Sequence, residues 1–302
     1  SHRPVGSMRR SAAPEALMPR LRVLDLRGDP SDPRDRLPRP RVDLAAARDA
    51  VRVTIDAVAR DGDDALRAAT ARFDRVEIDD LVVPDDVLDA ALAGLDPDLR
   101  SALERAADQV RRFHERARPA DWEEVAGGVR MGVWHRPVAR AGVYVPGGKA
   151  VYPSTVVMTV VPARVAGVDE VVLCTPPTGT GPDGRADGWP DRTIMAAARL
   201  LGVDRVVRVG GAQAVAAMAH GTGSVPRCDL VVGPGNLYVS LAKQLLAAEG
   251  RIGTDGYAGP TEIGIVADAT AEPHLLAADL VAQAEHDELA TAVLITDAPE
   301  LV

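Results

Sequence analysis

The chain has 302 residues, which is enough for about two domains, and its formal net charge is −9. The negative charge and the dispersed arginines argue against a nucleic acid or another polyanion as partner. No apolar run is long enough for a membrane span and no signal peptide is recognisable, so we expect a cytoplasmic protein that contacts no membrane. Cys174 and Cys228 share no motif spacing, which fits a reducing compartment better than a disulfide scaffold.

The first part of the chain is predicted to be mostly helical. A Pro-, Arg- and Asp-rich stretch up to about position 41 has no core of its own and predicts an arm or a linker. From about position 43 to position 72, apolar residues recur at helical spacing, with a break at Gly62. Two further helices are predicted over residues 84–92 and 97–117.

Short β-rich runs and helix-like segments alternate after about Arg140. The runs AGVYV, DEVVLC, DRVVRV and CDLVV each end at a Gly/Pro turn, and helices are predicted over 192–201, 212–219 and 237–248. Residues 154–166 are β-branched enough for a strand, but a crossover needs a helix there, and we expect one kinked at Pro162. A strand in AGPTEIGIVAD, a helix from Pro273 to about His286 and the strand TAVLIT follow. The alternation predicts an α/β fold built from parallel βαβ units.

The turns after the predicted strands are the candidate binding positions, because ligands bind outside the C-terminal ends of parallel strands. The turns GGAQA and GPGN can present a helix N-terminus to a pyrophosphate, although neither is GxGxxG and no acidic residue stands plainly at a ribose position. Tyr144 can stack on a flat ring, and Gln213 and Asn236 can hydrogen-bond to ribose or phosphate. Alternatively the turns are ordinary, and these residues are a core aromatic and two polar turn residues.

Three other side chains can carry chemistry. Gln283 and His286 stand three residues apart in AQAEHDE, on one helix face, and each can offer a lone pair to a metal. A zinc site usually has four ligands and an anion among them, so the pair is at most half a site, and a solvated helix end is the alternative. Cys174 ends a strand, where we favour a small buried hydrophobe over a nucleophile. Thr261 can donate to a substrate or satisfy backbone at a strand start.

Six motifs occur in an order and spacing that resembles the histidinol dehydrogenases: GVYVPGG, VVLCTPP, RVGGAQAVAAMAHGT, VVGPGNLYV, AGPTEI and LVAQAEHD. The resemblance runs from about Leu24 to the end. It implies zinc-assisted, NAD-dependent oxidation of L-histidinol to L-histidine through L-histidinaldehyde, in a homodimer whose active site is shared between subunits. It also implies a set of site residues: NAD contacts at Tyr144, Gln213 and Asn236, substrate contacts at Thr261, Gln283 and His286, and zinc ligands at Gln283 and His286.

The family's other zinc ligands, an Asp and a His, and its proton-transferring Glu-His pair come later than position 302, so no catalytic residue is assigned here. The resemblance implies Rossmann-like parallel βαβ domains, one inserted into the other, with a helical N-terminal region. Their predicted bounds are an arm at 1–39, a discontinuous domain at 40–143 plus 264–302, and an inserted NAD-binding domain at 144–263. The alternatives are a related zinc- and NAD-dependent enzyme such as sulfopropanediol dehydrogenase, or a catalytically incomplete nucleotide-binding fragment.

Overall fold

The computed structural model describes residues 22–29, 31–37, 43–147, 150–178, 187–256, 261–287 and 289–302. These residues divide into two compact units. The larger unit contains the described residues between positions 43 and 256, and the smaller contains those before position 38 and after position 260. The domain bounds predicted above stay a prediction, and each unit is described by itself.

The larger unit begins with four helices, as the apolar spacing predicts. They are α1 (Leu44–Asp61), α2 (Asp63–Phe73), α3 (Asp85–Ala93) and α4 (Pro97–Ala117). Asp43 and Asp96 cap α1 and α4, because each side chain accepts hydrogen bonds from two N–H groups of the first turn. Gly62, with φ +56°, separates α1 from α2, which confirms the predicted break.

An antiparallel hairpin of β1 (Trp122–Ala126) and β2 (Val129–Val133) follows the helices. Gly127 and Gly128 connect the strands with φ values of 58° and 80°. Two residues with positive φ form the turn that matches the twist of a hairpin, and Gly-Gly satisfies it without strain. The sequence prediction does not include this hairpin, although its signal, Gly-Gly between two β-rich runs, is present.

Five parallel strands form the central sheet in the order β5-β4-β3-β6-β7. The strands are β3 (Arg140–Tyr144), β4 (Glu170–Cys174), β5 (Arg205–Val207), β6 (Leu230–Val232) and β7 (Gly253–Thr254). The crossover helices are α5 (Pro153–Ala166), α6 (Arg192–Leu200), α7 (Gly211–His220) and α8 (Leu237–Ala248). The strand order reverses between β3 and β6, which is the switch point of a doubly wound α/β sheet. The predicted Rossmann-like α/β fold is confirmed, as is the helix, rather than a strand, through Pro162.

Both faces of this sheet are buried, because alternate strand residues point to opposite sides. One face packs with α5 and α6 and carries Val143, Val171, Leu173 and Val206. The other packs with α7 and α8 and carries Tyr144, Val172, Cys174 and Val207. The N-terminal helices add an outer layer on both sides, with α3 and α4 against α6 and α5, and α1 against α7 and α8.

The smaller unit contains one parallel βαβ unit, β8 (Glu262–Ala267), α9 (Pro273–Ala284) and β9 (Thr291–Thr296). Short 3₁₀ helices lie at Pro33–Arg36 and Pro299–Leu301. The predicted end of the last helix, at about His286, is wrong by two residues, because α9 ends at Ala284 and His286 lies in the turn that follows. None of the helices in the described ranges combines the length and apolar character needed to cross a bilayer.

Candidate functional site

The turns after β3, β4, β5 and β6 pack directly against one another at the carboxyl edge of the sheet. A Cβ on Gly233 would lie 2.1 Å from the carbonyl oxygen of Tyr144, so the turn after β6 presses on the end of β3. A Cβ on Gly147 would lie 2.5 Å from Pro176 Cγ, and one on Gly210 would lie 2.7 Å from Pro176 Cβ. Glycine is therefore required by contacts between turns, whether or not a ligand also approaches them.

Tyr144 is the last residue of β3, and its side chain lies in the core. It is 4% exposed and packs in the cluster that includes α7 and α8. Its Oη accepts a hydrogen bond of 3.1 Å from the N–H of Gly211, the first residue of α7. Burial raises the pKa of Tyr144 to about 12, so the phenol stays protonated at neutral pH. Its ring is a core aromatic in this structure, and its contact with a cofactor stays a prediction.

Removing the Tyr144 hydroxyl is expected to destabilise the larger unit modestly. Tyr144→Phe keeps the ring but leaves the Gly211 N–H without its acceptor, which costs about 1 kcal/mol of unfolding free energy. Urea unfolding followed by circular dichroism measures this difference. Tyr238→Phe is the matched control, because Tyr238 is 49% exposed, and it should change stability little. Equal effects of the two substitutions would show that the buried hydrogen bond contributes nothing.

Gln213 lies against the N-terminus of α7. It is 3% exposed, and its side-chain amide folds back over Gly211, where a Cβ would lie 2.6 Å from Gln213 Oε1. Gly211 has φ +66°, a conformation that L side chains rarely adopt. The amide is thus held beside the first N–H groups of the helix and next to the group that Tyr144 binds.

Asn236 caps α8. Its Oδ1 accepts hydrogen bonds of 3.1 Å from the N–H groups of Tyr238 and Val239. Because the oxygen faces the helix, the amide NH₂ of this exposed residue is left to donate outward. The polar-turn role proposed as an alternative is therefore observed, and it orients two donors at a helix N-terminus, where an anion is favoured.

A pocket of about 290 Å³ opens beside this turn. It is lined by Gly233, Pro234, Gly235, Ser240, Lys243, Asp255 and Gly256. Lys243 Nζ donates to Gly233 O at 2.9 Å and to Asp255 Oδ1 at 2.5 Å, and Asp255 Oδ2 accepts from the Gly233 N–H at 2.8 Å. The sequence prediction does not include these two charged residues, although a lysine is conspicuous in a chain whose other basic residues are nearly all arginine.

Two unpaired polar atoms lie near the end of α2. Thr70 is 0% exposed, and its Oγ1 has no hydrogen-bond partner among the described residues; the same holds for the buried Oδ2 of Asp74. Burial raises the pKa of Asp74 to about 6. The negative charge of Asp74 also acts on Tyr144, whose pKa it helps to raise.

The raised pKa of Asp74 makes its contribution to stability depend on pH. An acid whose pKa is higher in the folded state stabilises the fold fully at low pH, and this contribution is lost as pH rises through about 6. Asp74→Asn should therefore raise the unfolding midpoint at pH 7.5 by about 2–4 °C and by only about half as much at pH 5, where most of the carboxyl is still protonated in the folded state. Calorimetry at both pH values measures this. Asp61→Asn is the control, because Arg60 holds the pKa of that exposed carboxyl below its usual value, and the variant should show no such gain. A gain for Asp74→Asn that is equal at both pH values would contradict the assignment.

Cys174 is 0% exposed, which confirms its prediction as a small buried hydrophobe. Burial, and after it the neighbouring Cys228, raises the pKa of the Cys174 thiol well above its usual range. The thiolate is the nucleophilic form of cysteine, so this side chain is unsuited to attack on an aldehyde.

In the smaller unit, a hydrogen bond connects Gln283 to Thr261. Gln283 Nε2 donates to the Thr261 carbonyl oxygen at 3.0 Å, which leaves Gln283 Oε1 as an acceptor, and His286 is exposed beyond the helix end. Within the described ranges, His, Cys, Asp and Glu form no group of three or more that could hold a metal ion. Two neutral donors leave the charge of a zinc ion unbalanced, so Gln283 and His286 do not form a zinc site by themselves.

Comparisons with known proteins agree on one family. The family model described as histidinol dehydrogenase matches residues 37–302. The chain is 49% identical over 290 residues to the histidinol dehydrogenase of Mycobacterium leprae, covering 93% of this chain and 64% of that protein. It is 50% identical over 252 residues to that of Parasynechococcus marenigrum, covering 83% of this chain and 56% of that protein. A crystal structure of histidinol dehydrogenase from Elizabethkingia anophelis superposes with a TM-score of 0.78 at 34% identity, covering 87% of this chain and 59% of that one. The chain thus spans less than two thirds of the length of these relatives.

Proposed function

Because the chain belongs to the histidinol dehydrogenase family, we propose that it binds NAD and serves the NAD-dependent oxidation of L-histidinol to L-histidine through L-histidinaldehyde, the last steps of histidine biosynthesis. The observation that carries this proposal is the family match over residues 37–302. The fold supports it, because a doubly wound sheet binds nucleotides at the strand ends beside its switch point. Tyr144 is the last residue of β3 and the turn that ends at Asn236 follows β6, and these are the two strands on either side of that point.

Each residue of the nucleotide site has a physical role in this proposal. The outward NH₂ of Asn236 and the N-terminus of α8 donate to phosphate or ribose oxygens. Gln213 is 3% exposed and holds its amide beside Gly211 at the N-terminus of α7, and its contact with the nucleotide is part of the proposal. Tyr144 holds the first N–H of that helix in place and supports the turn that contacts the nucleotide. NAD supplies the hydride acceptor when it is bound, and the protein supplies its orientation.

The smaller unit supplies the proposed substrate contacts. Thr261, Gln283 and His286 are the proposed contacts to L-histidinol, and Gln283 and His286 would each occupy one position on a zinc ion. Zinc would supply a Lewis acid that orients the substrate. Its anionic ligand and second imidazole would come from other residues, because His, Cys, Asp and Glu form no group of three or more that could hold a metal ion within the described ranges. A cytoplasmic homodimer with an active site shared between subunits belongs to the same proposal.

Substitution of Asn236 tests nucleotide binding by the 302-residue chain. Asn236→Asp keeps the helix cap but replaces the outward NH₂ with an anionic oxygen, which repels phosphate. We expect the dissociation constant for NADH, measured by fluorescence titration, to rise at least about tenfold. Asn236→Ser keeps a cap without the charge and should give a smaller rise. An unchanged affinity in both variants would remove Asn236 from the nucleotide site.

Histidinol oxidation is tested with a chimera that continues after position 302 with the remaining part of the Mycobacterium leprae relative. NADH formation at 340 nm should require L-histidinol and should not occur with a sulfonated diol. Preference for the diol would favour the sulfopropanediol dehydrogenase alternative. A folded chimera that binds NADH but oxidises neither substrate would favour a nucleotide-binding protein without this activity. The 302-residue chain by itself should be inactive, because the residues that match the family's base are not among its own.

A further inference from the structure

An ion pair holds both polar groups of a single glycine in the turn between β6 and α8. The Gly233 N–H donates to Asp255, Asp255 accepts from Lys243, and Lys243 donates to the Gly233 carbonyl oxygen, at 2.8, 2.5 and 2.9 Å. The three residues come from the end of β6, the middle of α8 and the end of β7. A closed ring of three hydrogen bonds therefore fixes the orientation of the Gly233 peptide groups relative to two other elements.

The ammonium of this ring is buried. The Lys243 side chain is 7% exposed, whereas that of Asp255 is 38% exposed. Removing an ammonium from water costs free energy, and uncharged side chains could pack α8 against β7 without that cost. Lysine is also rare here, at two of the 35 Lys and Arg residues. The compact ammonium reaches one carbonyl and one carboxylate, a geometry that the broad planar guanidinium of arginine does not match.

The held glycine controls the position of Asn236. Gly233 has φ +113° and lies against the Tyr144 carbonyl, so it cannot move toward β3. Gly235 is equally confined, because a Cβ there would lie 2.3 Å from Val239 Cγ1. Asn236 is fixed at its other side by the cap of α8. The turn is therefore confined to one arrangement, in which the outward NH₂ of Asn236 has a set direction. The helix cap holds the turn at Asn236, and the ion pair holds it at Gly233.

We propose that Lys243 and Asp255 are positioning residues for nucleotide binding, which hold the turn from Gly233 to Asn236 in its binding arrangement through both polar groups of Gly233. This inference rests on the proposed function, because it assigns the ion pair a role in the same nucleotide site. The alternative is an ion pair that only stabilises the packing of α8 on β7. The positioning role and the purely stabilising role predict different affinities for NADH when both charges are removed together.

The test compares Lys243→Met with the double variant Lys243→Met/Asp255→Ala in the 302-residue chain. Lys243→Met leaves a carboxylate without its cation and should lower the thermal unfolding midpoint and raise the dissociation constant for NADH about tenfold. The double variant has no unpaired charge, so its unfolding midpoint should recover part of the loss. Its affinity for NADH should stay about tenfold weaker, because Gly233 is still not held. Recovery of both quantities, or wild-type affinity in Lys243→Met, would overturn the proposal.

Two controls separate positioning from general loss of stability. Glu249→Gln removes the Arg52–Glu249 ion pair, 2.5 Å long, just after the C-terminal end of α8, and should leave NADH affinity within about twofold. Leu246→Ala removes buried side-chain atoms from the same helix and should lower its stability. At temperatures well below the unfolding midpoint of this variant, its affinity for NADH should stay unchanged. If Lys243→Met does not fold, Asp255→Asn replaces it. That variant keeps an acceptor for the Gly233 N–H but weakens the hold of Lys243, and should raise the dissociation constant about threefold.

A measurement without nucleotide distinguishes failure of this inference from failure of the proposed function. The amide protons of Gly233 and Tyr238 should exchange with solvent at least about tenfold faster in Lys243→Met than in Glu249→Gln, followed by NMR. If the wild-type chain binds no NADH, the proposed function fails, and the exchange rates still decide whether the ion pair holds the turn. Unchanged exchange rates in Lys243→Met would overturn the positioning role whatever the affinity for NADH.

Discussion

Gly233→Ala is expected to destabilise the larger unit by at least about 3 kcal/mol and to abolish measurable NADH binding. The added Cβ would lie 2.1 Å from the Tyr144 carbonyl oxygen, which is rigid backbone in the middle of the sheet, and φ is +113°. The turn must therefore move away from β3. Movement breaks the hydrogen bond that the Gly233 N–H donates to Asp255 and the one that the Gly233 carbonyl accepts from Lys243, and it displaces Asn236. Stability and nucleotide affinity should therefore fall together.

Gly202→Ala is the control that separates the clash from backbone strain. Gly202 also has positive φ, at +65°, but a Cβ there would meet no heavy atom within 4 Å. Its substitution should cost only about 1 kcal/mol and leave NADH affinity unchanged. Guanidinium unfolding of both variants, followed by circular dichroism, gives the comparison. Similar losses for the two variants would show that the contact between Gly233 and Tyr144 does not constrain the turn.

The order of most helices and strands could be predicted because topology decides where the local pattern is ambiguous. Residues 153–166 illustrate this: β-branched composition favours a strand, but the parallel pairing of β3 with β4 requires a crossover, and the structure has a helix. The shortest strand, Gly253–Thr254, could not be predicted, because two residues carry no periodicity. The sequence predicts the end of α9 two residues too late, because the Gln-x-x-His spacing suits a helix face even where the last residue lies in a turn.

The candidate site could be predicted from the sequence only at residues that directly follow a recognisable β-rich run. Asn236 follows a β-rich run and a Gly-Pro-Gly turn, and its capping role follows from standing just before a helix. Lys243 and Asp255 are twelve residues apart on different elements, so their ion pair exists only through the packing of α8 beside β7. Asp74 is similar: nothing in its neighbourhood in the sequence indicates that its carboxyl is buried near Tyr144.

We expect zinc binding to need ligands in addition to Gln283 and His286. Metal analysis after dialysis should find little zinc in this chain. An amide oxygen and an imidazole leave most coordination positions to water, and His, Cys, Asp and Glu form no group of three or more among the described residues that could complete the site. In the chimera described above, we expect stoichiometric zinc. His286→Ala should then lower zinc affinity on the order of 100-fold and Gln283→Ala about tenfold, since an imidazole nitrogen is the better zinc donor.

The controls for zinc binding use the same helix and the same chain. His274→Ala removes another imidazole, 74% exposed at the start of α9, and should leave the zinc content unchanged. NADH affinity should change little in the His286 and Gln283 variants, because the proposed nucleotide contacts lie on other elements. Both variants should still lose histidinol oxidation, through poorer orientation of the substrate. Tightly held, stoichiometric zinc in the 302-residue chain would mean that side chains such as Glu262 or His274 complete the site, and the assignment of the missing ligands to other residues would then be wrong.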